Sequence, residues 1–335
     1  MGNRLIRRRS RQPLIWFAIL TFTLVSRHAH AINNPRIAGG PLIPRGPVIS
    51  IDPIISSDSV SCVIPFTRAG NLILIQAKAD TATGFFVLDT GAPGLVLNLS
   101  YFRHYQTSSP VESGGVTGGA AAATTSVDSL HLGPITYRKL DADLINLGHI
   151  ENTKGVKILG LLGVRLFLHF EMIIDYTNNR LYLRLIGKKK DAEPRNPQLQ
   201  DTSAYTTIPI DIIEDKVFVY LTLKGRKLKF IIDSGAETNV LDSRLPGKVF
   251  EDVEITRKVT LNGSGNHRVE ALYGDLKGLR VAGRPIGNLP VLITNLQSMC
   301  DAYNSTCLDG MLGFDFLSLH KIGFNFVNHR LYIWK

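Results

Sequence analysis

The stretch Phe85-Phe86-Val87-Leu88-Asp89-Thr90-Gly91-Ala92 occurs twice in this chain in nearly the same form. The second copy is Lys229-Phe230-Ile231-Ile232-Asp233-Ser234-Gly235-Ala236, which lies 144 residues later. Each copy is an apolar run typical of a buried strand, followed by Asp-[Thr/Ser]-Gly-Ala, which is typical of a tight turn. One copy would be weak evidence, but two copies indicate a duplicated half-site whose two aspartates meet.

Further landmarks follow each aspartate in the same order. An apolar-apolar-Gly element ends the next stretch of each half, and the two elements are Leu161-Leu162-Gly163 and Met311-Leu312-Gly313. When these are aligned, residues 178–183 fall over residues 328–333, and both read as a closing turn and strand. Because two large copies are too few for a solenoid, the repeat predicts two lobes related by a pseudo-twofold axis.

The chain as a whole reads as all-β. Short runs rich in Val, Ile, Leu, Phe and Tyr alternate with turns that contain Gly, Asn, Asp and Pro. Only two short helices are predicted, near Leu99–Tyr105 and near Gly313–Leu319.

The N-terminal segment has the three parts of a secretory signal peptide. Five arginines precede an apolar run from Pro13 to Ser26, and Ala29-His30-Ala31 follows as a small-residue cleavage site. The apolar run is shorter than the roughly 20 residues of a membrane span, so an uncleaved anchor is the minority alternative. We therefore predict a signal peptide at 1–31, an exported protein that is periplasmic or secreted, and no stable membrane span after cleavage.

Charge and composition set the remaining boundaries. Removal of residues 1–31 takes away six arginines and no acid, so the formal charge falls from +10 to +4 and the main argument for nucleic-acid binding disappears. The predicted organisation is an extended segment at 32–60, a first lobe at 61–187, a linker at 188–205 and a second lobe at 206–335.

Three cysteines are present, and two of them are close in sequence. Cys300 and Cys307 close a short loop just before the second apolar-apolar-Gly element, so a disulfide between them is plausible in an exported chain. Cys62 is left over and is interpreted as a buried thiol, with intermolecular pairing as the alternative. Neither the cysteines nor the histidines show metal-ligand spacing, so we expect no metal and no other cofactor.

Two aspartates on facing turns form a defined chemical unit. At hydrogen-bonding distance, Asp89 and Asp233 cannot both stay ionised, so they share one proton and place a base beside an acid. A water between them can be deprotonated by the charged partner while the neutral partner donates to a carbonyl oxygen, which hydrolyses an amide without a covalent intermediate.

On these residues, the chain from about 61 to 335 resembles the aspartic proteases of the pepsin and retropepsin type, in their two-lobed, single-chain form. The resemblance implies a bilobal all-β acid-protease fold with two β-barrel lobes, and it implies that Asp89 and Asp233 are catalytic. It also implies that Thr90 and Ser234 interlock beneath them and that Gly91 and Gly235 form the turns. In the family, the two apolar-apolar-Gly elements cross behind the aspartates; here they are Leu161, Leu162 and Gly163, and Met311, Leu312 and Gly313. The chain is also similar to exported bacterial members of this group.

One feature departs from the pepsin pattern. Residues 106–136 contain no tyrosine, whereas pepsin-like enzymes have a flap tyrosine in the first lobe. The interval instead holds a glycine-rich hairpin of the kind seen over retropepsin sites: Gly114, Gly115, Val116, Thr117, Gly118 and Gly119. The second lobe has a counterpart in Asn262, Gly263, Ser264 and Gly265. We therefore predict one flap per lobe, with ordinary hairpin turns as the alternative.

These observations favour an exported, monomeric aspartic endopeptidase that binds an extended peptide or protein substrate across the seam between the lobes. The alternative is a non-catalytic module that keeps the scaffold and only binds a peptide or glycan. A third possibility is a protease that processes its own segment at 32–60.

Overall fold

The computed structural model describes residues 23–25, 52–56, 60–107, 110–114, 120–186, 196–262, 268–302 and 307–335. Most of these residues form strands, which make one ten-stranded sheet in each half of the chain and a six-stranded sheet to which both halves contribute. The all-β, two-lobed architecture predicted from the repeat is confirmed.

The first half contains thirteen strands among the described residues, the first of which lies within the predicted signal peptide. They are β1 (Thr23–Val25), β2 (Ile54–Ile55), β3 (Ser61–Pro65), β4 (Thr67–Ala69), β5 (Leu72–Ala79), β6 (Ala82–Leu88), β7 (Leu95–Asn98), β8 (Pro110–Gly114), β9 (Ala120–Leu132), β10 (Ile135–Ile145), β11 (Gly160–Leu162), β12 (Phe170–Asp175) and β13 (Arg180–Leu185).

The second half repeats this pattern over its described residues. Its strands are β14 (Tyr205–Pro209), β15 (Asp211–Ile213), β16 (Lys216–Leu223), β17 (Arg226–Ile232), β18 (Asn239–Asp242), β19 (Val253–Asn262), β20 (Arg268–Leu276), β21 (Arg280–Val281), β22 (Arg284–Pro285), β23 (Leu289–Thr294), β24 (Gly310–Leu312), β25 (Ile322–Asn325) and β26 (Arg330–Trp334).

Helices are short throughout the described part of the chain. They are α1 (Leu99–Phe102), α2 (Gly148–Lys154), α3 (Gly247–Phe250), α4 (Gln297–Ala302) and α5 (Phe314–Leu317), with 3-10 turns at Val164–Phe167 and Pro197–Leu199. Helices α1 and α5 confirm the two predicted helices, although both are shorter than expected. Helices α2, α3 and α4 were not predicted; α2 is followed by Gly155, whose φ of 65° provides the left-handed C-terminal cap. No helix in the ranges given above has the length and apolar character needed to cross a membrane.

The two large sheets have the same central strand order. In the first lobe the order is β9-β10-β7-β11-β6-β5, and in the second lobe it is β20-β23-β18-β24-β17-β16. The short strands β11 and β24 each lie parallel to the strand that carries an aspartate, with Leu161 opposite Val87 and Met311 opposite Ile231. This equivalence is the pseudo-twofold relation that the repeated sequence predicts.

The six-stranded sheet joins the lobes. Three strands come from each half, in the order β14-β26-β25-β12-β13-β3, and the halves meet where β12 pairs with β25. The turn before β13 and the turn before β26 are also equivalent, because Asn179 and His329 both adopt left-handed backbone conformations, with φ of 52° and 54°. Asparagine tolerates this conformation better than most residues, and the closing turn thus repeats as predicted.

The hydrophobic core extends through both lobes, and two smaller clusters lie behind the aspartate strands. In the first lobe the cluster includes Leu74, Val87 and Leu161; the second lobe has the equivalent residues Phe218, Ile231 and Met311. All six are buried. Apolar packing therefore supports each aspartate turn from behind.

The predicted linker at 188–205 is described only from residue 196 onward. Its described part contains the 3-10 turn at Pro197–Leu199, in which the Asn196 side chain accepts from the backbone N–H of Gln198. The linker boundaries themselves stay a prediction.

Candidate active site

Asp89 and Asp233 are placed equivalently, each at the end of a buried strand. The backbone N–H of Asp89 donates to the carbonyl of Leu162 over 3.0 Å, and that of Asp233 donates to the carbonyl of Leu312 over 3.0 Å. Both aspartates are buried, with 0% and 1% of their surface exposed. The apolar-apolar-Gly elements therefore hold the aspartate turns directly.

Each carboxylate is gripped by its own turn. Oδ1 of Asp89 accepts from the N–H groups of Gly91 at 2.8 Å and Ala92 at 3.1 Å. Oδ1 of Asp233 accepts from Gly235 and Ala236 at the same two distances. One oxygen of each carboxyl group is therefore fixed by backbone donors, which orients the other oxygen.

The two carboxyl groups face each other, because each lies against the turn glycine of the other lobe, and Oδ2 of Asp89 is buried without a hydrogen-bond partner among the described residues. The turn glycines are required by this approach. A Cβ on Gly91 would lie 2.4 Å from Oδ2 of Asp233, and a Cβ on Gly235 would lie 2.6 Å from Cγ of Asp89. No real Cβ makes such contacts, so any side chain at these positions would push the carboxyl groups apart.

Thr90 and Ser234 form a reciprocal interlock between the lobes. The Thr90 hydroxyl donates to the carbonyl of Ile232 at 2.9 Å and accepts from the N–H of Ser234 at 2.9 Å. The Ser234 hydroxyl donates to the carbonyl of Leu88 at 2.8 Å and accepts from the N–H of Thr90 at 3.0 Å. Four buried hydrogen bonds thus fix one aspartate turn against the other.

The glycines that end the two apolar-apolar-Gly elements also lie close to backbone. A Cβ on Gly163 would lie 2.4 Å from the carbonyl oxygen of Gly94, and one on Gly313 would lie 2.5 Å from that of Thr238. The N–H of Gly163 donates to Gly94, whereas the N–H of Gly313 donates to the side chain of Asn239. The structure therefore brings together the whole predicted set around the two turns: Thr90, Gly91, Ser234, Gly235, Leu161, Leu162, Gly163, Met311, Leu312 and Gly313.

Burial and mutual repulsion dominate the electrostatics of the pair. Burial raises the pKa of Asp89 to about 6, against the opposing effects of Lys216 and of the hydrogen bonds that it accepts. Burial, and then the charge of Asp89, raise the pKa of Asp233 well above its usual range. The pair therefore holds a proton at acidic to neutral pH, with Asp89 the more readily ionised member.

Sequence reasoning missed a buried lysine beside the pair. Lys216 begins β16, has 1% of its surface exposed, and donates through Nζ to the backbone carbonyl of Gly91. It thus reaches from the second lobe into the aspartate turn of the first lobe. The only sequence signal is that a lysine opens an apolar strand, which commonly marks a solvent-facing strand end.

The two predicted flaps lie largely outside the described residues. Residues 115–119 and 263–267 are not described, so Gly115, Val116, Thr117, Gly118, Gly119, Gly263, Ser264 and Gly265 receive no structural account. Gly114 is the last residue of β8 and Asn262 is the last residue of β19, so each undescribed segment continues from a strand end. The flaps stay a prediction.

The predicted disulfide is not formed. Cys300 and Cys307 are both free thiols, the first buried and the second exposed. The Cys300 sulfur accepts a hydrogen bond from the Arg244 guanidinium at 3.1 Å, and a hydrogen bond to Cys300 raises the pKa of the Cys307 thiol. The sulfurs are thus neighbours in a polar contact and not a covalent pair. Cys62 is half-buried against the core, and burial raises the pKa of its thiol to about 11.

No cluster of three or more His, Cys, Asp or Glu side chains suited to a metal ion occurs within the described ranges. Lys216 is the charged side chain that acts on both aspartates of the pair, and Asp143, Asp215 and Arg165 interact in turn with Lys216.

Comparison with known proteins agrees with this geometry. Residues 219–316 match the aspartyl protease family model, a segment that includes Asp233 and the second apolar-apolar-Gly element. The chain is similar in structure to an aspartic proteinase from Irpex lacteus, with a TM-score of 0.50 and 13% identity, covering 82% of this chain and 97% of that one. Basic 7S globulin from soybean matches with a TM-score of 0.46 and 11% identity, covering 82% of this chain and 94% of that one. Comparison with curated proteins gives no match. At these identities the structural likeness concerns the fold.

Proposed function

We propose that this chain is an aspartic endopeptidase, because residues 219–316 match the aspartyl protease family model and the fold is similar to that of an aspartic proteinase. The observation that carries the proposal is the pair of buried carboxyl groups, Asp89 and Asp233, which face each other and are held by matching backbone donors. Keeping two buried carboxyl groups in contact costs free energy, which a scaffold that only bound ligands would have no need to retain.

The proposed reaction uses both members of the pair. Asp89, as the more readily ionised carboxylate, takes a proton from a water while the oxygen of that water forms a bond to the peptide carbonyl carbon. Asp233, as the protonated partner, donates its proton to the carbonyl oxygen, which gives a neutral tetrahedral diol. Asp89, now protonated, then donates to the amide nitrogen while ionised Asp233 takes a proton from one diol hydroxyl, and the C–N bond breaks to release an amine and a carboxylic acid. The shared proton returns to the pair, so atoms and charge balance.

The proposed substrate is an extended peptide or protein segment that crosses the seam between the lobes and pairs with strand edges. The pseudo-twofold interlock of Thr90 and Ser234 supports this, because it places the aspartates at the seam where both lobes can contact one chain. We further propose a monomeric, exported enzyme, periplasmic or secreted. Export is supported by the arginine-rich and apolar pattern of residues 1–31.

The test is cleavage of a diverse peptide mixture by the full chain, read by mass spectrometry at several values between about pH 3 and 8. The variants are Asp89→Asn and Asp233→Asn, and the matched control is Asp141→Asn, which neutralises an exposed aspartate on β10. We expect cleavage by the wild type and the control and none by either dyad variant.

Two results would count against the proposal. Cleavage that survives in Asp89→Asn or Asp233→Asn would exclude the shared-proton mechanism. Folded wild-type protein that cleaves nothing in this pH range would exclude a general endopeptidase and favour the peptide- or glycan-binding alternative.

A further inference from the structure

The lysine beside the pair breaks the pseudo-symmetry of the two lobes. Val87 lies two residues before the first aspartate and pairs with Leu74 on the neighbouring strand. Ile231 lies two residues before the second aspartate and pairs with Phe218. Leu74 and Phe218 are therefore equivalent, and so are the residues two positions earlier in each strand. Those residues are Leu72 in the first lobe and Lys216 in the second.

Lys216 is fully buried, and its ammonium faces charged groups from several elements. The negative groups are Asp89 and Asp233 of the pair, Asp215 of its own hairpin and Asp143 of β10; the positive group is Arg165 of the 3-10 turn at Val164–Phe167. Burial lowers the pKa of Lys216 to about 8, while the three aspartates nearest to it act in the opposite direction. The side chain is therefore cationic at the acidic pH at which a shared-proton pair works.

The other charged groups around Lys216 leave little negative charge to balance its ammonium. Arg165 contacts Oδ2 of Asp215 through Nε at 2.8 Å and through Nη2 at 2.7 Å. Burial raises the pKa of Asp143 to about 6, so this carboxyl is largely neutral in acid. With Asp215 engaged by Arg165, the singly charged pair is the main counter-charge left for Lys216.

The contact of Lys216 is also directional. Its Nζ donates to the carbonyl of Gly91, within the turn whose N–H groups hold Oδ1 of Asp89. The ammonium thus ties the first-lobe turn to the second lobe, and of the two aspartates it interacts more strongly with Asp89 than with Asp233, whose own turn has only Leu72 at the equivalent position.

We propose that Lys216 is a positioning residue of the proposed reaction, which holds the Asp89 turn and supplies the positive charge that favours ionisation of Asp89 over Asp233. The proposal rests on the proposed function for its catalytic consequence, but its electrostatic content does not require catalysis.

The test compares the full chain with Lys216→Met, which keeps the length and apolar stem and removes the charge, and with Lys216→Arg, which restores a charge. Carboxyl-¹³C NMR of aspartate-labelled protein reports the first ionisation of the pair, and peptide cleavage reports the acidic limb of the rate profile. An opposite charge at close range lowers a carboxyl pKa by about 1 to 3 units. In Lys216→Met we therefore expect the first ionisation of the pair and the acidic limb of the rate profile to move to higher pH by about 1 unit or more. Lys216→Arg should return toward the wild type.

Lys154→Met is the matched control. It removes another poorly exposed ammonium, which pairs with Glu237 at 2.5 Å across the lobes, and should leave the titration of the pair unchanged. A titration in folded Lys216→Met that overlies the wild type overturns the proposal. Absence of cleavage in every protein, with the NMR shift present, instead overturns the proposed function and leaves the electrostatic role standing.

A second measurement avoids any substitution at Lys216. Interaction between titrating sites is reciprocal, so loss of both negative charges in the double variant Asp89→Asn/Asp233→Asn must lower the pKa of Lys216 further. We expect the ¹³Cε titration of Lys216 to shift down by about 1 unit in that double variant. An unchanged Lys216 titration in that variant also overturns the proposal.

Discussion

Replacement of Thr90 by valine tests whether the interlock fixes the two lobes at the site. Valine has nearly the shape of threonine, so Thr90→Val leaves no cavity and replaces the hydroxyl group with a methyl group that cannot hydrogen-bond. That hydroxyl makes two buried hydrogen bonds, one to the carbonyl of Ile232 and one from the N–H of Ser234, both at 2.9 Å.

The expected loss of stability follows from the hydrogen-bonding groups that Thr90→Val leaves without a partner. A buried polar group without a partner costs about 1 to 3 kcal/mol, and here the variant leaves the Ser234 N–H and one acceptor site on Ile232 without theirs. We therefore expect Thr90→Val to lower the free energy of unfolding by about 2 to 4 kcal/mol, which is a large share of the 5 to 15 kcal/mol typical of folded domains.

The measurement is urea unfolding at fixed pH, with Thr90→Ser as the control. Serine keeps both hydrogen bonds and loses only a methyl group, worth about 0.8 kcal/mol. The variant should also lower kcat more than it changes KM, because a small misalignment of reacting groups can cost about 100-fold in rate. If Thr90→Val and Thr90→Ser unfold within about 0.5 kcal/mol of each other, the interlock does not contribute as the hydrogen bonds imply.

Three further outcomes are expected. Gly235→Ala puts a Cβ 2.6 Å from Cγ of Asp89 and should lower peptide cleavage at least 100-fold, on the order expected for misplaced reacting groups; retention of a tenth of the activity would contradict this. The folded pKa values of Asp89 and Asp233 lie above the unfolded value of 3.8, so their contribution to stability is complete below that pH and declines as pH rises through about 6. Asp233→Asn should therefore lose less thermal stability between about pH 4 and 7 than the wild type, and equal losses would refute the assignment. Arg165→Met breaks the ion pair of Arg165 with Asp215, whose side chains are 45% and 27% exposed. Chemical denaturation should show that the free energy of unfolding falls by less than about 1 kcal/mol, because solvent screens an exposed ion pair. A fall of more than about 2 kcal/mol would show that the pair is not screened.

Local features of the sequence were sufficient for the repeated parts of the site. A strand that ends in Asp-Thr-Gly or Asp-Ser-Gly is determined by neighbouring residues, because the apolar lead-in and the turn chemistry act over a few positions. The family resemblance implied that the apolar-apolar-Gly elements cross behind the aspartates, and in the structure β11 pairs with β6 and β24 with β17. The family resemblance added the interlock of Thr90 with Ser234, which the structure places as expected.

Contacts between segments that lie far apart in the sequence could not be predicted from these local patterns. The first four residues of β16 are all buried, so the strand shows no alternation from which the inward direction of Lys216 could be read. The disulfide prediction failed for a related reason, since loop length does not reveal that the Cys300 sulfur contacts Arg244. Helix α2 was not predicted because its seven residues are too few to show a clear helical period.

The sequence by itself determined that two aspartate turns exist, that they are equivalent, and that each is followed by an apolar-apolar-Gly element, because these are local patterns repeated in the same order. Only the tertiary structure decided how the two turns differ. It closed the halves through the β12–β25 pairing and placed a second-lobe lysine on the first-lobe turn at Gly91. Such contacts depend on strand register and lobe packing over more than a hundred residues of separation, which no local pattern encodes.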